Sequence, residues 1–237
     1  MIIPLISTFI LLGIAAMANA QPVRFQATDW PYGGGAFTSL VQASDGCVYA
    51  VSTALGLFRS CTEGRSWSTM RDVRGMPIDN PRDVYVDRET GRVLVLSDAR
   101  PMQMLEVNGA AWRAVTIDSL DNPVQFVSSE GAIIVYAMSA GAIYRSDDVG
   151  ESWRKVFVAT SPLSTASRPL VVDGRRAQVL YLAIGTSIVR STDGGTTWLR
   201  TIDSLWTASQ PLLSVTRGGI VIAANESGDV FRSRDSG

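Results

Sequence analysis

Histidine is absent from this sequence of 237 residues, and basic side chains are not in excess. Without histidine, the commonest general base and the commonest metal ligand are missing, so catalysis would have to use carboxylates, tyrosine, serine or lysine. Lysine and arginine number 21 against 22 aspartates and glutamates, which gives a formal net charge of -1. A nucleic-acid surface needs a clustered basic excess. We therefore expect no nucleic-acid partner, no bound metal and no cofactor.

The long apolar run of the sequence lies at its N-terminus, where residues 1–20 carry no charged side chain. The run ends in Ala18-Asn19-Ala20, the small-x-small pattern of a cleavage site. We predict a signal peptide over 1–20 and a secreted, periplasmic or cell-surface protein. An uncleaved anchor is the alternative, which Pro4 and the short apolar length oppose. No later segment has the pattern of a transmembrane span, so none is expected after signal removal.

One string, Ser-x-Asp-x-Gly-x-[Ser/Thr]-Trp, occurs twice in full, over 146–153 and 191–198. A near copy at 60–67 has Thr62 in place of Asp, a degenerate copy is found near 105–112, and the last copy stops at the end of the sequence. The motif positions are held by Ser60, Gly64, Trp67, Gly109, Trp112, Ser146, Asp148, Gly150, Trp153, Ser191, Asp193, Gly195, Trp198, Ser233, Asp235 and Gly237.

The tryptophans set the period of the repeat. Trp67 and Trp112 are 45 residues apart, Trp112 and Trp153 are 41 apart, and Trp153 and Trp198 are 45 apart. A period of roughly 40–45 residues made of short strands is typical of a β-propeller. Because each repeat divides into four β-rich strands, A to D, we predict an all-β propeller of four-stranded antiparallel blades with almost no helix. Its five visible repeats, within a domain of 21–237, are 36–70, 82–116, 124–157, 168–202 and 211–237.

The repeated string resembles the Asp-box, or BNR repeat, of sialidases, some glycoside hydrolases, sortilin-type receptors and a photosystem assembly factor. The resemblance implies a propeller fold, but it indicates little about activity because the family includes enzymes, receptors and assembly factors. In that family the Asp-boxes are structural and lie on the face opposite the binding site. We therefore do not expect catalysis from Asp148, Asp193 or Asp235, and no catalytic residue is assigned.

Two cysteines, Cys47 and Cys61, fall at the start of strand B and the end of strand C in the first repeat. If the hairpin between these strands turns about residue 54, paired residues have numbers that sum to 108, and the two cysteines stand opposite each other. We predict a cross-strand disulfide, which export would permit. Two free buried thiols are the alternative.

An arginine directly precedes the motif serine in four repeats. Alternation along strand C places these arginines on the solvent side and their neighbours inside. An arginine cluster that grips a substrate carboxylate is the alternative. The four arginines are Arg59, Arg145, Arg190 and Arg232, and the residues expected to face inward are Phe58, Tyr144, Val189 and Phe231.

The face opposite the Asp-boxes is formed by the B–C loops and the D–A connections. The segments expected on this face are 29–35, 70–82, 157–168 and 204–211. Three aromatic residues fall here outside the repeat pattern, and exposed aromatic rings stack on sugars or anchor partner side chains. Trp30, Tyr32 and Trp206 are therefore candidate ligand-face aromatics, although packing against the N-terminal segment is the alternative.

We predict an exported, non-catalytic propeller that acts as a glycan- or protein-binding interaction module. A sialidase-like hydrolase fragment and an assembly or scaffold factor are the alternatives. The Arg-Ile-Pro segment found early in sialidases is missing, since 74–77 and 168–169 do not match it. A xyloglucanase-like hydrolase would use two propellers and a far longer chain. The last motif stops before its tryptophan, which favours a fragment of a longer protein over a five-bladed ring closed by 23–27.

Overall fold

The structure is a computed structural model of the chain. It describes residues 36–72, 75–78, 80–97, 102–105, 112–115, 125–129, 132–164, 168–202, 212–216, 218–225 and 227–235, with only the backbone for 102–105 and 112–115. Over these ranges, every regular element is a strand and none is a helix. Accordingly, the described residues include no apolar helix of the length needed to cross a bilayer. The signal peptide predicted for 1–20 lies outside the described residues.

Nineteen strands are found in the described part of the chain. In chain order they are β1 (Ser39–Gln42), β2 (Val48–Ser52), β3 (Gly56–Ser60), β4 (Ser68–Thr69), β5 (Pro81–Val86), β6 (Val93–Ser97), β7 (Met102–Leu105), β8 (Trp112–Val115), β9 (Gln125–Ser128), β10 (Val135–Met138), β11 (Ala142–Ser146), β12 (Arg154–Val158), β13 (Leu170–Asp173), β14 (Arg176–Ile184), β15 (Ser187–Ser191), β16 (Leu199–Ile202), β17 (Leu212–Val215), β18 (Val221–Ala224) and β19 (Val230–Arg232).

Consecutive strands pair in antiparallel fashion and form five sheets. Sheet 1 contains β1 to β4, sheet 2 contains β5 to β8, sheet 3 contains β9 to β12, and sheet 4 contains β13 to β16. Sheet 5 contains β17 to β19 among the described residues. The all-β, four-stranded antiparallel architecture predicted from the repeat is therefore confirmed. The closed ring stays a prediction.

The two middle strands of sheet 3 are buried on both faces. Every residue of β10 and β11 is buried, although their side chains alternate between the two faces of sheet 3. Apolar clusters fill the spaces between successive sheets: one joins sheets 1 and 2, and others join sheets 2 and 3, 3 and 4, and 4 and 5. Sheets 2, 3 and 4 are thus layers between two cores, whereas sheets 1 and 5 each border one core in the described structure.

The first strand of each sheet lies on the inner side of the array. β1 contacts β5, β5 contacts β9, β9 contacts β13, and β13 contacts β17. Because the strands alternate in direction, the starts of all five inner strands lie at the end of the array that also carries the second-to-third-strand loops. The turns that follow the third strands, which contain the Asp-box strings, lie at the opposite end.

Sheet 1 has the register expected from its sequence, since Val48 pairs with Ser60 and Ser52 with Gly56. One step beyond Val48 and Ser60, the structure joins Cys47 and Cys61 in a disulfide, with their Cα atoms 4.1 Å apart. The bond spans 14 residues of sequence and lies at the Asp-box end of the sheet.

Removing this disulfide is expected to destabilise sheet 1, because an unlinked denatured chain has more conformational freedom. A closed loop of this size stabilises a fold by about 3 kcal/mol. We expect the double variant Cys47→Ala/Cys61→Ala to unfold at lower urea concentration than the wild type. The reduced wild type should unfold with the double variant, whereas an unchanged midpoint in both would contradict the disulfide.

Candidate functional site

Residues of the five inner strands line a space of about 550 Å³, which is called the channel here. Its walls present polar and apolar groups in similar amounts, and the apolar lining residues include Val84, Val127 and Leu170. Polar side chains enter at the starts of the inner strands, where Asp83 and Gln125 lie on β5 and β9 and Arg168 precedes β13. This mouth of the channel is the candidate functional site.

Asp83 is the acidic centre of the channel mouth. Its side chain is only 3% exposed, and its Oδ2 atom accepts hydrogen bonds from the Phe126 main-chain N–H at 2.8 Å and from Arg168 Nη2 at 2.5 Å. These charge-assisted bonds offset the cost of burying the carboxylate. Asp83 therefore links three successive sheets, because the bonds run from sheet 2 to sheet 3 and to the start of sheet 4.

Gln125 occupies the position in sheet 3 that Asp83 occupies in sheet 2, as the pairing of Asp83 with Leu96 and of Gln125 with Met138 shows. Its side-chain amide donates to the Leu170 carbonyl at 3.0 Å. Gln125 Oε1 and Asp83 Oδ1 are buried acceptors without a hydrogen-bond partner in the described structure. Buried acceptors without a partner are uncommon in proteins, and a functional role is one of the explanations for them.

Arg168 is hydrogen-bonded to a buried carboxylate, and much of its side chain is exposed to solvent. Asp83 is its hydrogen-bond partner among the described residues, and the arginine side chain remains 51% exposed. Of the five N–H donors of a guanidinium, the contact with Asp83 engages Nη2 among the described residues. The half-exposed cation at the channel mouth suits a carboxylate or another anion.

The sequence-predicted ligand-face segments are partly visible. The segments 29–35 and 204–211, with Trp30, Tyr32 and Trp206, lie outside the described residues. Of 157–168, the structure describes 157–164 and Arg168, and Arg168 reaches the channel mouth. Asp83 directly follows the predicted segment 70–82.

The Asp-box strings form closed hydrogen-bonded turns at the opposite end of the sheets. In sheet 3, Ser146 Oγ accepts from the Gly150 N–H at 2.7 Å and donates to Asp148 Oδ1 at 2.7 Å. Asp148 also accepts from the main chain and hydroxyl of Ser152, and the Trp153 indole N–H donates to the Gly150 carbonyl. The aspartate thus serves its own turn rather than the channel.

The turn of sheet 4 repeats this network with Ser191, Asp193, Gly195, Thr197 and Trp198. In sheet 1 a hydroxyl replaces the carboxylate, since Thr62 Oγ1 accepts from the Ser66 N–H at 2.9 Å. Ser60, Gly64 and Trp67 keep their places there. The turn therefore forms without an acidic residue.

The remaining motif residues are only partly described. Ser233 Oγ donates to the Asp235 carbonyl at 2.6 Å, and the Trp112 backbone begins β8. Gly109 and Gly237 lie outside the described residues.

The glycines of these turns allow close approach to the preceding sheet. Gly150 and Gly195 have φ angles of +86° and +91°. A Cβ atom on Gly150 would lie 2.6 Å from Leu94 Cδ1, and one on Gly195 would lie 2.9 Å from Val156 Cγ2. Each turn therefore packs closely against the preceding sheet. Glycine is required at these positions, because the φ angle is positive and there is no space for a Cβ atom.

Hydrogen bonds control the ionisation of the turn aspartates. Bonds from the Thr197 hydroxyl and main-chain N–H lower the pKa of Asp193 to about 2. For Asp148, burial alone would raise the pKa, but bonds from Ser152 and Ser146 outweigh it and the pKa is lowered. A general acid needs the opposite shift.

The predicted solvent-side position is wrong for Arg145, which is only 8% exposed, whereas Arg232 is exposed. Arg145 lies 5.9 Å from the ring centroid of Tyr136 and pairs with Asp147. The same stacking joins Arg59 to Tyr49 and Arg190 to Tyr181.

The physical reason is that a middle strand packs against a sheet on either side, so alternation gives it no free face. The inward-facing partners were placed correctly: Phe58, Tyr144 and Val189 are buried, and Phe231 is half-buried.

Asp83 and Gln125 were missed by the sequence analysis, although their strands carried a signal. Inner strands of sheets 1 and 4 begin with small or apolar residues, whereas Asp83 directly precedes the apolar run 84–86 and Gln125 interrupts the apolar run 124–127. A charged residue inside a buried strand is rarely accidental. Within the described residues, no cluster of three or more acidic or cysteine side chains has the arrangement of a metal site.

Neither a protein-family model nor a curated protein sequence matches the chain. Several solved structures, however, are similar to the chain. A GH74 xyloglucanase from Xanthomonas campestris aligns with a TM-score of 0.60 and 19% identity, over 81% of this chain and 35% of that chain. YCF48 bound to D1 peptide aligns with a TM-score of 0.61 and 17% identity, over 85% and 65%. YCF48 from Cyanidioschyzon merolae aligns with a TM-score of 0.59 and 12% identity, over 88% and 71%.

These similarities establish the fold alone. The chain has the fold of the β-propellers found in xyloglucanases and in YCF48. It spans about a third of the length of the xyloglucanase and 65% of the length of the peptide-bound YCF48 chain.

Acid should remove the contribution of Asp193 to stability. Its pKa is about 2 in the folded chain against an ordinary value of 3.8, so the stabilisation is present above pH 4 to 5 and is lost as the pH falls towards 2. We expect Asp193→Asn to unfold earlier than the wild type at pH 7, with the gap closing by pH 2.

Urea unfolding at pH 7, 4 and 2 measures this gap. Glu63→Gln removes one exposed charge and is the matched control, which should unfold like the wild type at each pH. A gap that stays constant down to pH 2 would show that the charge of Asp193 is not what stabilises the turn.

Proposed function

We propose that this chain is a non-catalytic binding module that recognises a carboxylate-bearing polypeptide or glycan at its channel mouth. The observation that carries the proposal is Arg168, whose guanidinium is hydrogen-bonded to buried Asp83 and remains half exposed at the channel mouth. Preorganised arginines bind carboxylates with two parallel hydrogen bonds. A ligand carboxylate would meet Arg168 without having to order it first.

The rest of the channel lining supports recognition by hydrogen bonds, because it includes the hydroxyl side chains of Thr38, Ser39 and Ser128. A hydroxyl both donates and accepts, so it can pair with a main-chain amide or with a sugar hydroxyl. One fold neighbour, YCF48, has been solved with a bound peptide, and this makes a polypeptide ligand the first to test.

Hydrolysis of a glycoside usually needs two carboxylates that flank the scissile bond. Among the described residues that line the channel, Asp83 is the acidic one, and it is engaged by Arg168 and by the Phe126 main chain. The Asp-box carboxylates lie at the other end of the sheets and serve their own turns. This favours binding over the hydrolase alternative. Action as an assembly or scaffold factor would use the same mouth.

Export is part of the proposal. The apolar run of 1–20 has the pattern of a signal peptide. The Cys47–Cys61 disulfide supports the same conclusion, because such bonds persist in oxidising compartments.

Arrays of acidic and neutral peptides and of acidic and neutral glycans test the proposal directly. We expect the acidic members of one array to bind, and the array that responds identifies the ligand as polypeptide or glycan. For the best binder, calorimetry should show roughly tenfold to hundredfold weaker binding to Arg168→Ala, because a charged hydrogen-bonded pair is lost.

Arg176→Ala is the matched control. Arg176 and Asp173 form an ion pair with nearly the same exposure, 47% and 3%, but at the Asp-box end of the same sheet. Equal loss of binding in both variants would contradict a site at the channel mouth. Release of reducing ends from a bound glycan would contradict the non-catalytic assignment.

A further inference from the structure

The disulfide of sheet 1 has one buried end and one exposed end. Cys47, directly before β2, is only 4% exposed, whereas Cys61, directly after β3, is an exposed residue. Strand registers show that the equivalents of Cys61 in sheets 3 and 4 are Asp147 and Thr192, which are exposed as well. The repeat therefore places Cys61 where solvent reaches the sheet, with its partner inside.

A guanidinium lies against the buried sulfur. Arg59 Nη2 donates to Cys47 Sγ at 3.2 Å and to Asp45 Oδ2 at 3.1 Å, and the arginine also stacks on Tyr49, 5.7 Å from the ring centroid. The Asp45 side chain is 53% exposed against 34% for Arg59. Because solvent screens the more exposed charge more strongly, the cation dominates the field at Cys47. These contacts hold Arg59 beside the sulfur independently of the S–S bond.

The equivalent arginines show which partner this guanidinium lacks. In sheet 3, Arg145 Nε donates to the Asp147 carboxylate at 2.8 Å. In sheets 1 and 4 the position of Asp147 carries no charge, and Arg59 Nε and Arg190 Nε are buried donors without a hydrogen-bond partner in the described structure. A buried donor without a partner is unfavourable, and an anion would satisfy it. In sheet 1 the disulfide itself can supply that anion, because its opening leaves a thiolate.

We propose that this disulfide is a thiol-exchange site, at which a small thiol becomes attached to Cys61. The thiol enters as its thiolate, after releasing its proton to water, and its sulfur bonds to Cys61 Sγ. The Cys47–Cys61 bond breaks, and its electron pair stays on Cys47 Sγ as a thiolate that Arg59 stabilises by charge and hydrogen bonding. Because a stabilised thiolate leaves faster, exchange is directed to Cys61. Attack by the Cys47 thiolate on the mixed disulfide reverses the reaction and restores the crosslink of sheet 1.

Reaction of the full chain with glutathione tests the proposal. N-Ethylmaleimide, added at successive times, stops the exchange and labels the cysteine that left, and mass spectrometry of the non-reduced peptides locates both groups. We expect glutathione on Cys61 and maleimide on Cys47 in roughly tenfold excess over the opposite pattern. In urea, where Arg59 no longer lies beside Cys47, the two patterns should approach equal amounts.

Arginine variants separate the charge of Arg59 from a general effect on stability. Arg59→Gln should slow the opening roughly threefold to tenfold and reduce the preference for Cys61, because the Cys47 thiolate loses its cation. Arg59→Lys keeps a positive charge and should retain much of the rate and of the preference. Arg190→Gln is the matched control, since Arg190 stacks on Tyr181 in the same way but has no cysteine on its strand. It should react like the wild type.

Three results would overturn the proposal. A disulfide that reacts with glutathione only in urea would show that the folded chain has no exchange site. Equal modification of the two cysteines in the folded chain, or modification mainly of Cys47, would show that exchange is not directed to Cys61. An unchanged preference in Arg59→Gln would show that Arg59 does not stabilise the leaving thiolate, and this ratio is independent of any change in overall stability.

Discussion

The packing of sheets 2, 3 and 4 between apolar cores on both sides is the constraint on which the rest of this structure depends. Because β10 and β11 are buried on both faces, neither face of sheet 3 can carry ordinary solvated charge. The arginines on the third strands satisfy this condition by stacking on tyrosines of the second strands. Tyr136 extends the contact to sheet 4 through a hydrogen bond from its hydroxyl to the Ala177 carbonyl.

The Asp-box turn packs each sheet against the sheet that precedes it. Its serine and aspartate close the turn, its glycine lets the backbone approach the preceding sheet, and its tryptophan enters the core between them. A loss of aspartate is tolerated in sheet 1 because Thr62 accepts the same main-chain bond. The tryptophan has no such substitute, since its ring fills the interface while its N–H caps the glycine carbonyl.

Repetition explains how much of this could be predicted from sequence. The strands of sheets 1 and 4, the register of the first hairpin and the position of the turns all follow from local patterns that recur along the chain. The solvent side assigned to Arg145 was wrong because alternation within one strand does not reveal a neighbouring sheet. Asp83 was missed because its burial depends on Arg168, 85 residues further along the chain.

The same reasoning explains why the two ends of the molecule differ in character. At the Asp-box end, each turn satisfies its own polar groups, so a position that recurs in every sheet has little left to offer a ligand. At the channel mouth, equivalent positions hold unlike residues: Ser39, Asp83, Gln125 and Leu212 on different inner strands. Specific recognition at the proposed site would use such asymmetry, because residues of all five inner strands line the channel. The departures from the repeat, rather than the repeat itself, therefore carry the information about function.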